Sequence, residues 1–182
     1  LRFVCSDMWR PYLNVIAAKA GQALHVLDRF HITMHLNQAV DQTRRAESTR
    51  LRAEASAQAA HLKAMRWKLL RRGSRVRGKA RCQLNALVAS KLATARAWIL
   101  KETFDHFWSY KSLTWARYFL DYWTWRALRS RIEPMKKVAR MLRSHQELLL
   151  NWFKAKGEIS SGAVEGLNNK TRVVTRRSYG FR

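Results

Sequence analysis

The sequence predicts a mostly α-helical chain with a small α/β part at its start. Three observations carry that reading. Two short apolar runs, residues 1–6 and 23–27, flank a stretch with helical spacing, and aspartates follow them, Asp7 and Asp28. Beyond His31, apolar residues recur at steps of three and four through most of the remaining chain. Two prolines occur, Pro11 and Pro134, so little breaks helix over that length.

The elements follow in order. Residues 1–5 read as a short buried strand that ends at Ser6 and Asp7. Pro11 suits the first turn of a helix, where its missing N–H costs nothing. Leu13, Ile16 and Ala17 continue that helix, and Gly21 stops it. The run 23–27 is then a second strand. Strand, helix and strand make a βαβ unit, in which the strands pair in parallel. In such folds ligands collect outside the carboxyl ends of the strands, where both aspartates fall.

Helical steps through Ile32, Leu36, Val40, Leu62, Met65 and Leu69 predict helix from His31 to about Arg72. Gly73 and Gly78 bracket a basic turn over residues 71–81. A long helix is expected from about Gln83 to Tyr110, with Leu84, Leu87, Val88, Leu92, Ala95 and Ile99 on one face. A further helix carries Trp115, Phe119, Tyr122 and Trp123 and ends before Pro134. Another runs from about Met135 to Lys154. Ser160, Ser161 and Gly162 form a polar loop, and a last helix begins near Ala163 and carries Glu165.

Composition points to the partner. The 182 residues are 47% hydrophobic, with eight tryptophans, so a packed core is within reach. Lys and Arg total 36 against 12 acids, a formal net charge of +24. That surplus repels itself, and a polyanion relieves it; nucleic acid is the commonest such partner, ahead of an anionic membrane surface. Residues 55–101 contain no acid and many cations, and read as the main polyanion-facing surface. Cys5 and Cys82 form no metal-binding spacing and read as free thiols of a reducing cytosol. No stretch approaches the roughly 20 apolar residues of a membrane span, and no signal segment opens the chain. The opening on Leu1, directly in an apolar run, looks like a truncated start.

The candidate chemistry rests on isolated carboxylates in a cationic chain. Taken singly, Asp7 and Asp28 read as helix N-caps, and Glu165 as a first-turn acid that favours the helix dipole. Taken together, such carboxylates can hold divalent ions, which cleave phosphodiesters in pairs. His31 and His35 stand four apart on a helix, a metal-ligand spacing, but no third ligand is evident and packing is the better reading.

Local strings sharpen this. DMWRPY from Asp7, VLDRFHI from Val26 and NQAVDQTRR from Asn37 resemble the ISL-three family of insertion-sequence transposases. So does VEGLNNKTRVVTRRSYGFR from Val164. RWKLLRR from Arg66 and the tryptophan-rich segment around Trp123 support the resemblance, which covers essentially the whole chain.

The resemblance implies a DDE-type enzyme with an RNase H-like catalytic core. Residues 1–30 would be part of that core, 31–160 a large all-helical insertion, and 161–182 a C-terminal helix returning to the core. Asp7 matches the second catalytic, metal-holding carboxylate and Glu165 the third. The first belongs on an earlier strand that this chain does not contain, so the chain alone is expected to be inactive. Mg²⁺ or Mn²⁺ is expected in the complete enzyme. Asp28 and His31 match a recurring family string and are not counted as metal ligands. The expected DNA contacts are Asn168, Lys170, Arg172, Arg176 and Arg177 after the glutamate, with Arg71, Arg72 and Arg75 in the basic turn. Arg172 stands where the family typically has Lys, two turns beyond Glu165, and keeps the charge. Asn169 shares the asparagine pattern. The implied partners are DNA at the element ends and target, in the bacterial cytoplasm, with no membrane, and a homo-oligomer of the complete protein is compatible with this. The competing reading is a non-enzymatic basic helical nucleic-acid-binding protein, or an inactive transposase remnant.

Overall fold

In a computed structural model, residues 1–155 are described. They form β1 (Phe3–Ser6), α1 (Arg10–Lys19), β2 (Leu24–Leu27) and α2 (Arg29–Ala53). There follow α3 (Gln58–Ala64), α4 (Arg66–Leu70), a 3-10 turn (Gly73–Arg75), α5 (Gly78–Ala89) and α6 (Ala93–Phe104). A second 3-10 turn (Asp105–Ser109) leads to α7 (Leu113–Leu128), α8 (Glu133–Ser144) and α9 (Gln146–Lys154). The chain is mostly helical, with a small parallel sheet, as the sequence predicts. It divides into two compact units. One holds residues 1–32 with the described residues from Glu147 onward, and the other holds Thr33–Gln146.

In the first unit β1 and β2 pair in parallel, Phe3 opposite Leu24 and Ser6 opposite Leu27. Parallel neighbours need a crossover, and α1 supplies it, entered by Pro11 in its first turn. The register carries on into Asp7 and Asp28, the next residues of each strand, and the Asp28 N–H donates to the Ser6 carbonyl at 2.8 Å. Val26 and Leu27 are buried, as are Leu149 and Leu150 of α9. The Asn151 amide of α9 donates to the His25 carbonyl at 2.8 Å. The first strand departs from the expected buried run: each of its residues is only half-buried.

The second unit has a core of Leu36, Val40, Leu62, Met65, Leu69, Leu84, Phe104, Phe107, Leu120, Trp123, Met135 and Leu142. Phe104 stands at its aromatic centre, 4.9 Å from the Trp123 ring and 5.4 Å from the Phe107 ring. The Trp123 indole N–H reaches the Leu100 carbonyl at 2.9 Å, so this buried ring keeps its donor satisfied.

Several helices are shorter than the periodicity predicts, and three of the extra breaks have a local cause. The expected helix 31–72 becomes α2, α3 and α4. Ala55 sits in the left-handed region at φ 53°, and the Ser56 N–H reaches back to Leu51 C=O at 2.9 Å. That is a Schellman ending with alanine where glycine is usual. The expected helix 83–110 breaks at Ser90, whose hydroxyl donates to Leu87 C=O at 2.6 Å and competes with the helical ladder. The expected helix 135–154 breaks at His145, whose ring nitrogen bonds Met141 C=O at 2.8 Å. α7 ends at Leu128, before Pro134 as expected, and Pro134 lies in the first turn of α8.

Buried charges cap helices across the unit. Leu92, the N-cap of α6, has no side chain to offer. Glu47 of α2 takes over: its carboxylate accepts from Ala93 N–H at 2.8 Å, Thr94 N–H at 2.7 Å and the Thr94 hydroxyl at 2.6 Å. At the other end of α6, the Lys101 ammonium donates to the carbonyls of Leu69 at 2.6 Å and Arg71 at 3.0 Å, closing α4. Burial pushes the Lys101 pKa down, and Glu102 at 3.0 Å opposes that shift. Glu102 also accepts from Gly73 N–H at 2.7 Å. A Cβ on Gly73 would meet Glu102 Oε2 at 2.7 Å and the Trp98 ring at 3.0 Å, so glycine is needed there for space.

Two stability outcomes follow. Glu47→Ala removes three hydrogen bonds to one ionised group at a helix start, and is expected to cost roughly 2–3 kcal/mol. Urea denaturation that puts the loss below about 0.5 kcal/mol, the scale of a neutral surface change, would refute the tertiary cap. Ala55→Gly relieves a left-handed alanine and is expected to raise stability by about 1 kcal/mol. A lowered urea midpoint would show that the turn is not held as described.

Candidate functional site

The parallel pair fixes where the candidate chemistry lies. Because β1 and β2 run the same way, both aspartates emerge at one end of the sheet. A cleft of about 300 Å³ opens there, lined by Cys5, Ser6, Asp7, Tyr12, Val15, Ile16, Asp28 and His31.

The two carboxylates are held differently. Asp28 is nearly buried, precedes α2, and spends both oxygens locally. Oδ1 accepts from Phe30 N–H at 2.9 Å, and Oδ2 lies 3.0 Å from His31 Nδ1. Asp28 is therefore the N-cap of α2, and the reading of it as a cap holds. Asp7 accepts from Trp9 N–H at 3.0 Å through Oδ1, a short turn ahead of α1. The N-cap of α1 is Trp9, so Asp7 is not itself the cap.

Cys5 and Ser6 line the cleft beside the two carboxylates, and His25 lies behind Ser6. Burial, and after it the Asp28 charge, raise the Cys5 thiol pKa to about 11, which disfavours a thiolate there. The Ser6 hydroxyl donates to Asp7 C=O at 2.8 Å and lies 2.8 Å from His25 Nε2. With its single proton spent on the carbonyl, Ser6 accepts from Nε2–H. Burial lowers the His25 pKa, in keeping with a neutral ring.

The donor set can be tested against a divalent ion. The cleft offers carboxylate oxygen and no thiolate, which suits a hard cation such as Mg²⁺. Among the described residues no three His, Cys, Asp or Glu side chains gather at one point. A three-ligand site around Asp7 is thus not found among the described residues. Glu165 lies outside them, and so do Asn168, Asn169, Lys170, Arg172, Arg176 and Arg177. His31 Nδ1 turns to Asp28, 3.0 Å from Oδ2.

The basic turn lies in the other unit. Arg71, Arg72 and Arg75 are all exposed around the 3-10 turn between α4 and α5. The Arg72 guanidinium pairs with Asp105 at 2.9 Å, although its own stretch is free of acids. Arg66 similarly approaches Asp41 at 3.8 Å. Lys101 is buried and faces no polyanion, contrary to the reading of 55–101 as one exposed surface. Sequence reasoning did not find the lining residues Cys5, Tyr12, Val15 and Ile16. Their signal was available: Tyr12, Val15 and Ile16 share one helix face next to Asp7.

The comparisons with known proteins agree with the geometry. A family model for ISL3-type DDE transposases, described as "Transposase", matches residues 1–182. The transposase for insertion sequence element IS1001 of Bordetella parapertussis is 27% identical over 183 residues, covering 100% of this chain and 44% of the relative. The transposase for insertion sequence element IS1557 of Mycobacterium tuberculosis is 25% identical over 189 residues, covering 93% of this chain and 42% of the relative. The chain thus spans less than half the length of these relatives. No solved structure matches it. On the match across its whole length, the chain belongs to the ISL3-type family of DDE transposases.

Proposed function

We propose that this chain supplies the second and third carboxylates, Asp7 and Glu165, and the helical insertion of a metal-dependent DNA transposase with an RNase H-like core. The observation that carries the reading is the placement of Asp7. It sits at the carboxyl end of a strand paired in parallel, on a cleft, and the family match runs through it. The exposed side of α1 supports a larger core. This helix buries no residue and presents Trp9, Tyr12 and Val15 to solvent, a face that a further layer would cover.

The chain's own groups divide the work. Asp7 provides an oxygen ligand whose position is set by the Trp9 N–H and the end of β1. Glu165 provides the other. Bound Mg²⁺ or Mn²⁺ would activate the attacking oxygen and stabilise the leaving one in phosphodiester cleavage and strand transfer. Asp28 keeps the start of α2 in place and orients His31 beside the cleft. The neutral Cys5 thiol adds no competing soft ligand. Arg71, Arg72 and Arg75, together with the cations after Glu165, hold DNA phosphates and position the substrate. Two ligands without the first aspartate do not complete a two-metal site. Activity is therefore assigned to the complete protein, acting on element ends and target.

Two outcomes test the reading. Binding of this chain to duplex DNA is expected to weaken with salt, with little sequence preference. Arg71→Ala and Arg75→Ala should each lower the slope of log affinity against log salt by about 0.9. Arg72→Ala should lower it less, because Asp105 already neutralises that guanidinium in part. A flat salt dependence would sink the DNA assignment. In the complete transposase, Asp7→Asn should abolish donor-strand nicking while duplex binding persists. A nicking rate within about tenfold of wild type, a change of about 1.4 kcal/mol in the barrier, would remove Asp7 from the catalytic set.

A further inference from the structure

Helix α7 buries one face and exposes a second on which four of the six exposed residues are aromatic, Thr114 and Asp121 being the others. Ala116, Leu120, Trp123 and Ala127 go to the core. Trp115, Tyr118, Tyr122 and Trp125 do not: they are 64%, 64%, 57% and 50% exposed. Their spacing of three, four and three places all four rings on one line. Arg129 continues the line a turn later, its guanidinium 4.4 Å from the Trp125 ring. Arg126 lies 5.7 Å from the Tyr122 ring. The Tyr122 and Trp125 planes are within 15° of parallel, with centroids 6.1 Å apart.

Four large rings left in water on a single helix face require a partner. Charge selects it. A second copy would bring its own Arg126 and Arg129 against these, in a chain whose net charge is already +24. A polyanion with flat apolar faces meets both demands at once. Unpaired nucleotides have them: bases for the rings and phosphates for the guanidinium groups. Duplex DNA offers only its phosphates, because its base faces are already stacked. The geometry also fits a strand. Successive rings are three or four residues apart, so they rise by about 4.5–6 Å along the helix. Tyr122 and Trp125 are near-parallel at that pitch and can receive successive bases of an extended strand, while the Trp115 and Tyr118 rings, 6.0 Å apart, are tilted by 54°.

We propose that the exposed aromatic face of α7 is a stacking platform for a single-stranded DNA segment. This rests on the DNA-binding reading above and narrows it, assigning duplex phosphates to the basic turn and unpaired bases to α7.

The test uses the chain as it stands, with a fluorescein-labelled oligothymidylate and a duplex of the same length. Wild type should bind both. Trp115→Leu and Trp125→Leu should each weaken oligothymidylate binding about tenfold and leave duplex binding unchanged. Trp115→Phe and Trp125→Phe, which keep a ring face, should retain most of it. Arg75→Ala should show the opposite pattern, weakening the duplex more. Circular dichroism and urea midpoints equal to wild type will confirm that the exposed substitutions leave the fold intact. If the leucine variants bind oligothymidylate like wild type, or lose duplex binding equally, the platform is refuted while the DNA reading stands. If wild type binds neither probe, the DNA reading itself fails and takes the platform with it. A leucine-sensitive monomer–dimer equilibrium in sedimentation, with oligothymidylate binding intact, would overturn the proposal in favour of a second copy. Leucine-sensitive binding to phosphatidylglycerol vesicles without oligothymidylate binding would overturn it in favour of a membrane surface.

Discussion

The helical unit depends on α6 and on the carboxylate that starts it. A helix whose N-cap is leucine leaves its first N–H groups without a local acceptor. Thr94 is fully buried here, so water does not meet its N–H, and Ala93 beside it is half-buried. Glu47 answers three donors with one ionised side chain, and the positive end of the α6 dipole favours its charge. Because Glu47 stands on α2, the cap also fixes α2 against α6. The far end of α6 repeats the device with opposite sign, through Lys101 on the last carbonyls of α4. Trp123 then ties α7 to the Leu100 carbonyl. Three neighbouring helices are thus registered on α6 by polar bonds that tolerate little displacement, while the Phe104 cluster supplies apolar area around them.

These caps change the meaning of the net charge. The chain has 12 acids, and several are consumed inside the fold. Asp28 caps α2, and Asp41 is buried against Arg44 at 2.7 Å with Arg45 at 3.1 Å. Glu47 and Glu102 serve backbone N–H groups. Asp28, Asp41, Glu47 and Glu102 thus hold structure, whereas Glu54 and Glu133 are exposed and pair with surface cations. A buried carboxylate that is fully hydrogen-bonded is hard to replace, whereas an exposed guanidinium is free to exchange water for phosphate.

Periodicity and charge made much of this legible. The parallel pair, its crossover and the two aspartates at its carboxyl end follow from apolar runs and Pro11. The missed helix breaks share one property: none carries glycine or proline. Ala55 adopts a conformation that alanine rarely does, Ser90 acts through its hydroxyl, and His145 through its ring. Such endings depend on what the rest of the unit imposes, and no local pattern announces them. Pairing across the fold was equally hidden. Nothing near Arg72 in sequence predicts Asp105, and nothing near Glu47 predicts Thr94. The aromatic face of α7 was also unreadable. Trp123 and Trp125 are two residues apart in one helix, one buried and one exposed, and spacing alone does not say which face of a helix meets the core.

The candidate site shows why two aspartates in equivalent positions need not have equivalent roles. Both follow a strand of the same parallel pair, and the register places them side by side in the chain pattern. What separates them is the helix that comes next. After Asp28, α2 begins at once, so its carboxylate meets the first free N–H groups of a long helix and is saturated by Phe30 and His31. After Asp7, two residues intervene before α1 and Pro11 occupies its first turn, removing one N–H that the carboxylate would otherwise find. Asp7 is left with the single Trp9 N–H among the described residues. A carboxylate engaged by a single backbone N–H, on a cleft whose Cys5 thiol burial holds protonated, keeps oxygen capacity that the local backbone does not use. The loop length and one proline thus leave Asp7 less engaged by its own backbone than Asp28.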